Sequence, residues 1–126
     1  MRLLVVEDEQ KVSRFLKQAL GGRGVAGRKV DLVVSDLSPN LSGIESADQA
    51  RAVHLGELAL EFASAWLQPG GDLVVKAFQG EGFTDFQRAM QGRFDKVYVR
   101  KPKSSRDRSP EVYLVGKRRR GAGVLE

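Results

Sequence analysis

Short apolar runs alternate along this chain with stretches whose apolar residues return at helical spacing, and that alternation limits the fold more than any other feature. Arg2-Leu-Leu-Val-Val6 suits a buried strand and stops at the carboxylates Glu7, Asp8 and Glu9. Val12, Phe15, Leu16, Ala19 and Leu20 then recur as one face of a helix that Gly21-Gly22 ends. Residues 21–29, rich in glycine and cations, read as a linker, and Val30 to Ser35 as a second strand. Ser46-Ala-Asp-Gln49 is a capping box for a helix running to about Leu67, with Ala50, Val53, Leu58, Phe62 and Trp66 on its apolar side and Gln68-Pro-Gly-Gly71 as its stop. Leu73 to Ala77 is a third strand, and Thr84 to Gly92 a shorter helix carrying Phe86 and Met90. Asp95 to Val99 and Glu111 to Gly116 are the last strands, joined by a basic loop. Strands separated by helices call for a parallel α/β sheet; the last two, with no helical crossover between them, make one strand antiparallel. The expectation is a single α/β domain over the 126 residues, burying roughly 65% of its unfolded surface.

Composition removes several chemistries. Without cysteine there is no disulfide framework, thiolate metal site or thiol nucleophile. His54, the sole histidine, falls mid-helix, which rules out an imidazole metal cluster and assigns it to packing. No apolar run nears the roughly 20 residues that span a bilayer, and no leader pattern opens the chain, so a soluble cytoplasmic protein with no membrane partner is expected. Gly22-Arg-Gly-Val-Ala-Gly27 spells a dinucleotide fingerprint but follows a helix and precedes a strand, the reverse of the required order, so it reads as linker. Trp66, Phe62, Phe83, Phe86 and Phe94 sit at core spacings rather than forming a platform for bases. Charge is polarised: residues 1–87 carry 9 basic and 12 acidic groups, residues 88–126 carry 12 and 4. A basic C-terminal third favours non-specific polyanion binding through counterion release.

Five blocks point further: Val30-Asp-Leu-Val-Val-Ser-Asp-Leu-Ser-Pro-Asn-Leu-Ser-Gly43, Leu67-Gln-Pro-Gly-Gly71, Val74-Val-Lys-Ala-Phe-Gln-Gly-Glu-Gly-Phe83, Val99-Arg-Lys-Pro-Lys-Ser-Ser-Arg106 and Ser109-Pro-Glu-Val-Tyr-Leu-Val115. In content and order they resemble the FtsJ/RrmJ family of ribosomal RNA 2′-O-methyltransferases. The resemblance covers about residues 28–118 and implies a truncated, Rossmann-like sheet of about five strands, mostly parallel with one antiparallel strand near the C-terminus. It implies S-adenosylmethionine as cofactor and ribosomal RNA as partner. It also implies a Lys-Asp-Lys-Glu tetrad around the target ribose, in which Asp36, Lys76 and Glu111 match the last three members and the first lysine has no counterpart. A ribose hydroxyl is a poor nucleophile until its proton is drawn away; a lysine of lowered pKa could accept or polarise that proton while two carboxylates orient it. Arg100, Lys101, Lys103, Arg106 and Arg108 match the segment near the family's RNA-binding face.

The first twenty residues resemble instead the opening strand and helix of a response-regulator receiver domain, in which an acidic pair after the strand holds Mg²⁺. The resemblance implies Glu7 and Asp8 as metal ligands, Asp36 as phosphoryl acceptor and Lys76 as its countercharge. The first strand ends in Glu7-Asp8-Glu9-Gln10 where the methyltransferase resemblance asks for a glycine-containing turn, and only residues 21–29 separate the first helix from Val30. The expectation is therefore a chimera: a receiver unit at 1–20, a linker at 21–29, a methyltransferase part at 30–118 and a tail at 119–126. It would be inactive, keeping Asp36 alone of the cofactor contacts and leaving S-adenosylmethionine unbound. A phospho-receiver and an active RNA methyltransferase stand as alternatives. The first strand should also lie at a sheet edge, exposing backbone groups that favour a homodimer or segment-swapped oligomer.

Overall fold

The computed structural model describes residues 2–7, 9–20, 30–37, 43–101 and 111–120. Its elements follow in the order β1 (Leu3–Val6), α1 (Glu9–Leu20), β2 (Val30–Ser35), α2 (Glu45–Trp66), β3 (Leu67–Phe78), α3 (Phe83–Gln91), β4 (Phe94–Arg100) and β5 (Glu111–Arg119). The strands form one sheet in the order β1-β2-β3-β5-β4. β1, β2 and β3 are parallel, and β5 runs antiparallel to both β3 and β4. This is the α/β architecture expected, with β1 at an edge.

Burial alternates along the strands as a one-sided core requires. Val6, Val33, Leu73, Val75, Ala77, Val112 and Leu114 turn to one face, where they join Val12 of α1, Leu55, Ala59, Phe62, Ala63 and Trp66 of α2, and Phe86 and Met90 of α3 in a single buried cluster. On the opposite face Leu32, Val34, Val74 and Val115 are half-buried, while Leu3 and Val5 are exposed. Phe62 is fully buried and stacks on Trp66, with ring centroids 6.0 Å apart. Phe62, Trp66, Phe86 and Phe94 thus occupy the core, and Phe83 does so in part.

The long helix departs from its sequence reading in four ways. Its buried stripe runs through Ala52, Leu55, Ala59, Phe62, Ala63 and Trp66, leaving Ala50 exposed and Val53 and Leu58 half-buried. His54 is exposed rather than packed. The helix begins at Glu45 behind Ile44, with no side-chain cap, and Gln49 instead accepts a hydrogen bond from the Glu81 backbone N–H, tying α2 to the approach of α3. Finally, α2 stops at Trp66, before Gln68-Pro-Gly-Gly71. Leu67 is already extended and fully buried, because it pairs with Val30 of β2. Between the Val30–Leu67 and Leu32–Asp72 pairs β3 carries extra residues, absorbed by a bulge in which Gly70 has φ +88°. Asp31 pins the bulge by accepting from the Gln68 side chain and from the Arg2 backbone N–H.

β5 extends through Arg119, into the stretch read as the start of a tail. Gly116 lies beneath the Phe94 ring so closely that a Cβ there would stand 2.7 Å from Cγ. Asp72 ties down the far half of β5, accepting from Lys117 Nζ at 2.8 Å and from the Arg118 backbone N–H at 2.9 Å. The side chains of residues 15–20, among them Phe15, Leu16, Ala19 and Leu20, lie outside the described residues, as does the linker at 21–29.

Two stability measurements test this packing. Phe62→Ala should cost about 3–5 kcal/mol, read from urea unfolding; a loss under about 1 kcal/mol would mean that the ring is not a core residue. Burial pushes the Asp72 carboxyl up, but hydrogen bonds and charge from Lys117 and Arg118 outweigh it, leaving the pKa below its ordinary 3.8. A depressed carboxylate pKa stabilises the fold above the unfolded value and loses that contribution as pH falls through the native one. The stability gap between the wild type and Asp72→Asn should therefore be full above about pH 5 and close below pH 3.8, and a gap unchanged down to pH 2 would refute the linkage.

Candidate functional site

The carboxyl ends of the parallel strands in an open α/β sheet border the crevice where ligands bind. Asp36 stands there, one residue past β2, its backbone N–H bonded to the Val6 carbonyl at 2.8 Å. Lys76 projects from β3, and register sets Tyr113 of β5 directly opposite it. Glu111 opens β5 opposite Phe78, at the end of β3. An antiparallel strand thereby delivers its first residues to the edge where its neighbours deliver their last.

The geometry is that of one cation held by two anions. Lys76 Nζ lies 2.7 Å from Asp36 Oδ1 and 3.6 Å from Glu111 Oε2. The Lys76 side chain is 13% exposed against 44% for Asp36 and 31% for Glu111, so the ammonium is recessed and the carboxylates form a rim. Tyr113 donates its hydroxyl to Asp36 Oδ1 at 3.4 Å.

Burial pushes the Lys76 ammonium down, but the hydrogen bond and charge of Asp36, with the charge of Glu111, prevail, and its pKa lies above the ordinary lysine value. This corrects the expected lowered lysine. Burial, and then the Asp36 charge, raise the Tyr113 phenol, so it stays protonated and a donor. Such a group holds a hydroxyl-bearing ligand by donation from nitrogen and acceptance at the carboxylate rim, and it stabilises negative charge growing on an oxygen beside Nζ.

Tyr113 was not singled out in the sequence, although it is two residues from Glu111 on a strand and so shares its face. Arg100 pairs with Tyr113 from β4 and is exposed, its guanidinium 5.0 Å from the Tyr98 ring centroid. Lys101 is exposed; Lys103, Arg106 and Arg108 lie outside the described residues.

Glu7 is exposed just past β1, and because Val6 pairs with Ser35, it stands beside Asp36 at the strand ends. Asp8 lies outside the described residues, and among those described no cluster of three or more His, Cys, Asp or Glu side chains could hold a metal ion. Among the described residues no helix is long and apolar enough to cross a membrane.

The chain matches the FtsJ-like methyltransferase family model over residues 5–119. It is 52% identical over 114 residues to the ribosomal RNA large subunit methyltransferase E of Methylobacillus flagellatus, covering 90% of this chain and 53% of that protein. The protein of the same name from an Azoarcus species is 61% identical over 92 residues, 73% of this chain and 45% of that one. The chain thus spans about half the length of the curated relatives it matches. Among solved structures, a ribosomal RNA methyltransferase of Plasmodium falciparum superposes with TM-score 0.68 at 24% identity, covering 90% of this chain and 54% of that one. Human methyltransferase-like protein 13, solved with S-adenosylhomocysteine, gives 0.55 at 17%, covering 89% and 50%. These two likenesses speak for the fold alone.

The sequence expectation of an inactive chimera is corrected by these matches. The family match begins at residue 5, within β1, and takes in all of α1, most of the segment assigned to a receiver, and the relatives are named as ribosomal RNA methyltransferases. The physical reason for the error is that a short strand closing in carboxylates and leading into an amphipathic helix is common to doubly wound α/β proteins and does not tell a receiver from a methyltransferase. With the match running from β1 through β5, this chain belongs to the FtsJ-like methyltransferase family.

Proposed function

We propose that the chain serves S-adenosylmethionine-dependent methylation of a ribose 2′-hydroxyl in ribosomal RNA, with Asp36, Lys76 and Glu111 around the reacting oxygen. The observation that carries this reading is the recessed Lys76 ammonium held between Asp36 and Glu111 at the carboxyl edge of the sheet. The relatives' names support the RNA substrate, and the family supports the cofactor.

The residues at that edge suit the cofactor's charge: Glu7 and Asp36 would offer acceptor oxygens to its amino and hydroxyl groups and negative charge to its sulfonium. When bound, S-adenosylmethionine supplies an electrophilic methyl group. Lys76 then acts on the nucleophile. Kept protonated by its two carboxylates, it donates to the 2′-oxygen and stabilises the negative charge that grows there, while Asp36 and Glu111 fix the direction of Nζ. The hydroxyl proton leaves to the carboxylate rim or to solvent. Tyr113 donates to the same Asp36 oxygen that meets Nζ and so helps to hold it in place. Arg100 and Lys101, exposed on the β4 side of the same edge, suit phosphates flanking the target.

Lys76→Met should lower the single-turnover rate of methyl transfer to ribosomal RNA by about 10²–10³-fold, while calorimetric affinity for S-adenosylmethionine stays within a factor of about 3. A variant as fast as the wild type would refute the assignment, and a wild type showing no saturable S-adenosylmethionine binding would refute the methyltransferase reading itself. β1 is an edge strand with Leu3 51% and Val5 44% exposed, which supports self-association. Light scattering should then show mass rising with concentration, and a constant monomer mass from micromolar to millimolar would dismiss it.

A further inference from the structure

The end of the sheet remote from Lys76 carries a second concentration of charge. α2 and α3 both finish there, and β5 arrives with its last residues. Ser64, Ala89 and Gly92 and the side chains of Arg88, Arg93, Arg119 and Arg120 line an open cleft of about 470 Å³. Arg93 donates to the Ser64 hydroxyl, Arg119 Nη2 to the Ser64 carbonyl at 3.0 Å, and Arg120 Nη1 to the Gly92 carbonyl at 3.4 Å. Among the described residues none of these four guanidinium groups forms an ion pair with a carboxylate, in contrast to Arg118, which is matched by Asp95 at 3.0 Å.

Capping the two helix ends accounts for only part of this charge. Each C-terminus offers about half a negative charge, so two together leave an excess of about three positive charges among four arginines. Glu57 and Glu61 line a neighbouring cleft beyond Arg93 and Ala89 without pairing to the cluster. Burial, and then the charge of Arg93, depress the pKa of Arg119, so the guanidinium groups of the cluster repel one another. A multivalent anion removes that repulsion, and the planar forks of arginine match phosphate oxygens. Among the described residues no aromatic ring lines the cleft, so it suits a sugar-phosphate backbone rather than a stacked base.

We propose that this cleft is an anchoring site for the RNA phosphodiester backbone, separate from the reaction site and at the opposite end of β5. The proposal rests on the RNA reading given above. From Glu111 to Arg119 is eight strand steps of about 3.4 Å, or about 27 Å, so a substrate must be several nucleotides long to occupy both ends at once. The cleft would thus hold a flank of the substrate and contribute affinity without sequence preference.

The test uses the full chain and the variant Arg88→Gln/Arg120→Gln, both residues being exposed, with thermal unfolding as a check on folding. Binding to a ribosomal RNA hairpin and to a tetranucleotide is followed by fluorescence anisotropy across a salt series. The slope of log K against log salt for the hairpin should become shallower by about 1.4–1.8, the value for two lost phosphate contacts, while tetranucleotide binding stays unchanged. A folded variant with wild-type slope and affinity for the hairpin would overturn the proposal and leave the methyltransferase reading intact. If the wild-type chain itself fails to bind the hairpin at low salt, the RNA reading falls and the anchoring site with it.

Discussion

Antiparallel pairing of β5 with β3 is the constraint on which the rest of this molecule turns. β3 is the central strand, held by β2 on one side in parallel and by β5 on the other in reverse. Because β5 runs against its neighbours, Glu111 meets Phe78, Tyr113 meets Lys76, and Arg119 is carried to the end where α2 and α3 terminate. A parallel strand in its place would put Glu111 at the amino edge of the sheet, far from Asp36. The same pairing supplies Val112 and Leu114 to the core that anchors the helices.

The electrostatics at the carboxyl edge follow from that placement. A lysine rising from the middle strand of a sheet is partly desolvated, which alone would loosen its proton. Two carboxylates, one past the end of β2 and one at the start of β5, reverse that tendency. The outcome separates two states that residue types alone leave open: Lys76 is a positive charge fixed by two carboxylates rather than a lysine of lowered pKa.

Much of this was legible in the sequence because its signals were strong and local. The run Val30–Ser35 became β2 without adjustment, the helix read over Thr84 to Gly92 is α3 to within one residue at each end, and the blocks around Asp36, Lys76 and Glu111 led to three residues that converge although 75 positions separate the first from the last. What failed needed tertiary information. Ser46 and Gln49 spelled a cap, yet Gln49 serves the loop before α3. Leu67 followed a helical pattern, yet pairing with Val30 draws it into a strand. The stripe on α2 was displaced because the helix contacts β3, α1 and α3, so Leu55 and Ala59 are covered where Ala50 is not. The acidic end of β1 was read as foreign because its chemistry is shared by many α/β proteins, and only the length of the family match resolves it. The basic balance of residues 88–126 was the sequence's only trace of the arginine cleft, whose members come from α3, the turn after it and the end of β5.

The side chains of β5 bear on register. Val112, Leu114 and Gly116 face the helices, while Glu111, Tyr113 and Val115 alternate with them. Insertion or deletion of a single residue before Val112 would exchange those faces, turning Tyr113 into the core and moving Gly116 from beneath the Phe94 ring, which no other residue accommodates without a shift. The Gly116–Phe94 contact therefore works as an alignment mark: the one position of β5 without a side chain matches the ring that needs the space. Length changes in the segment between β4 and β5 can be tolerated only if they leave that mark in place.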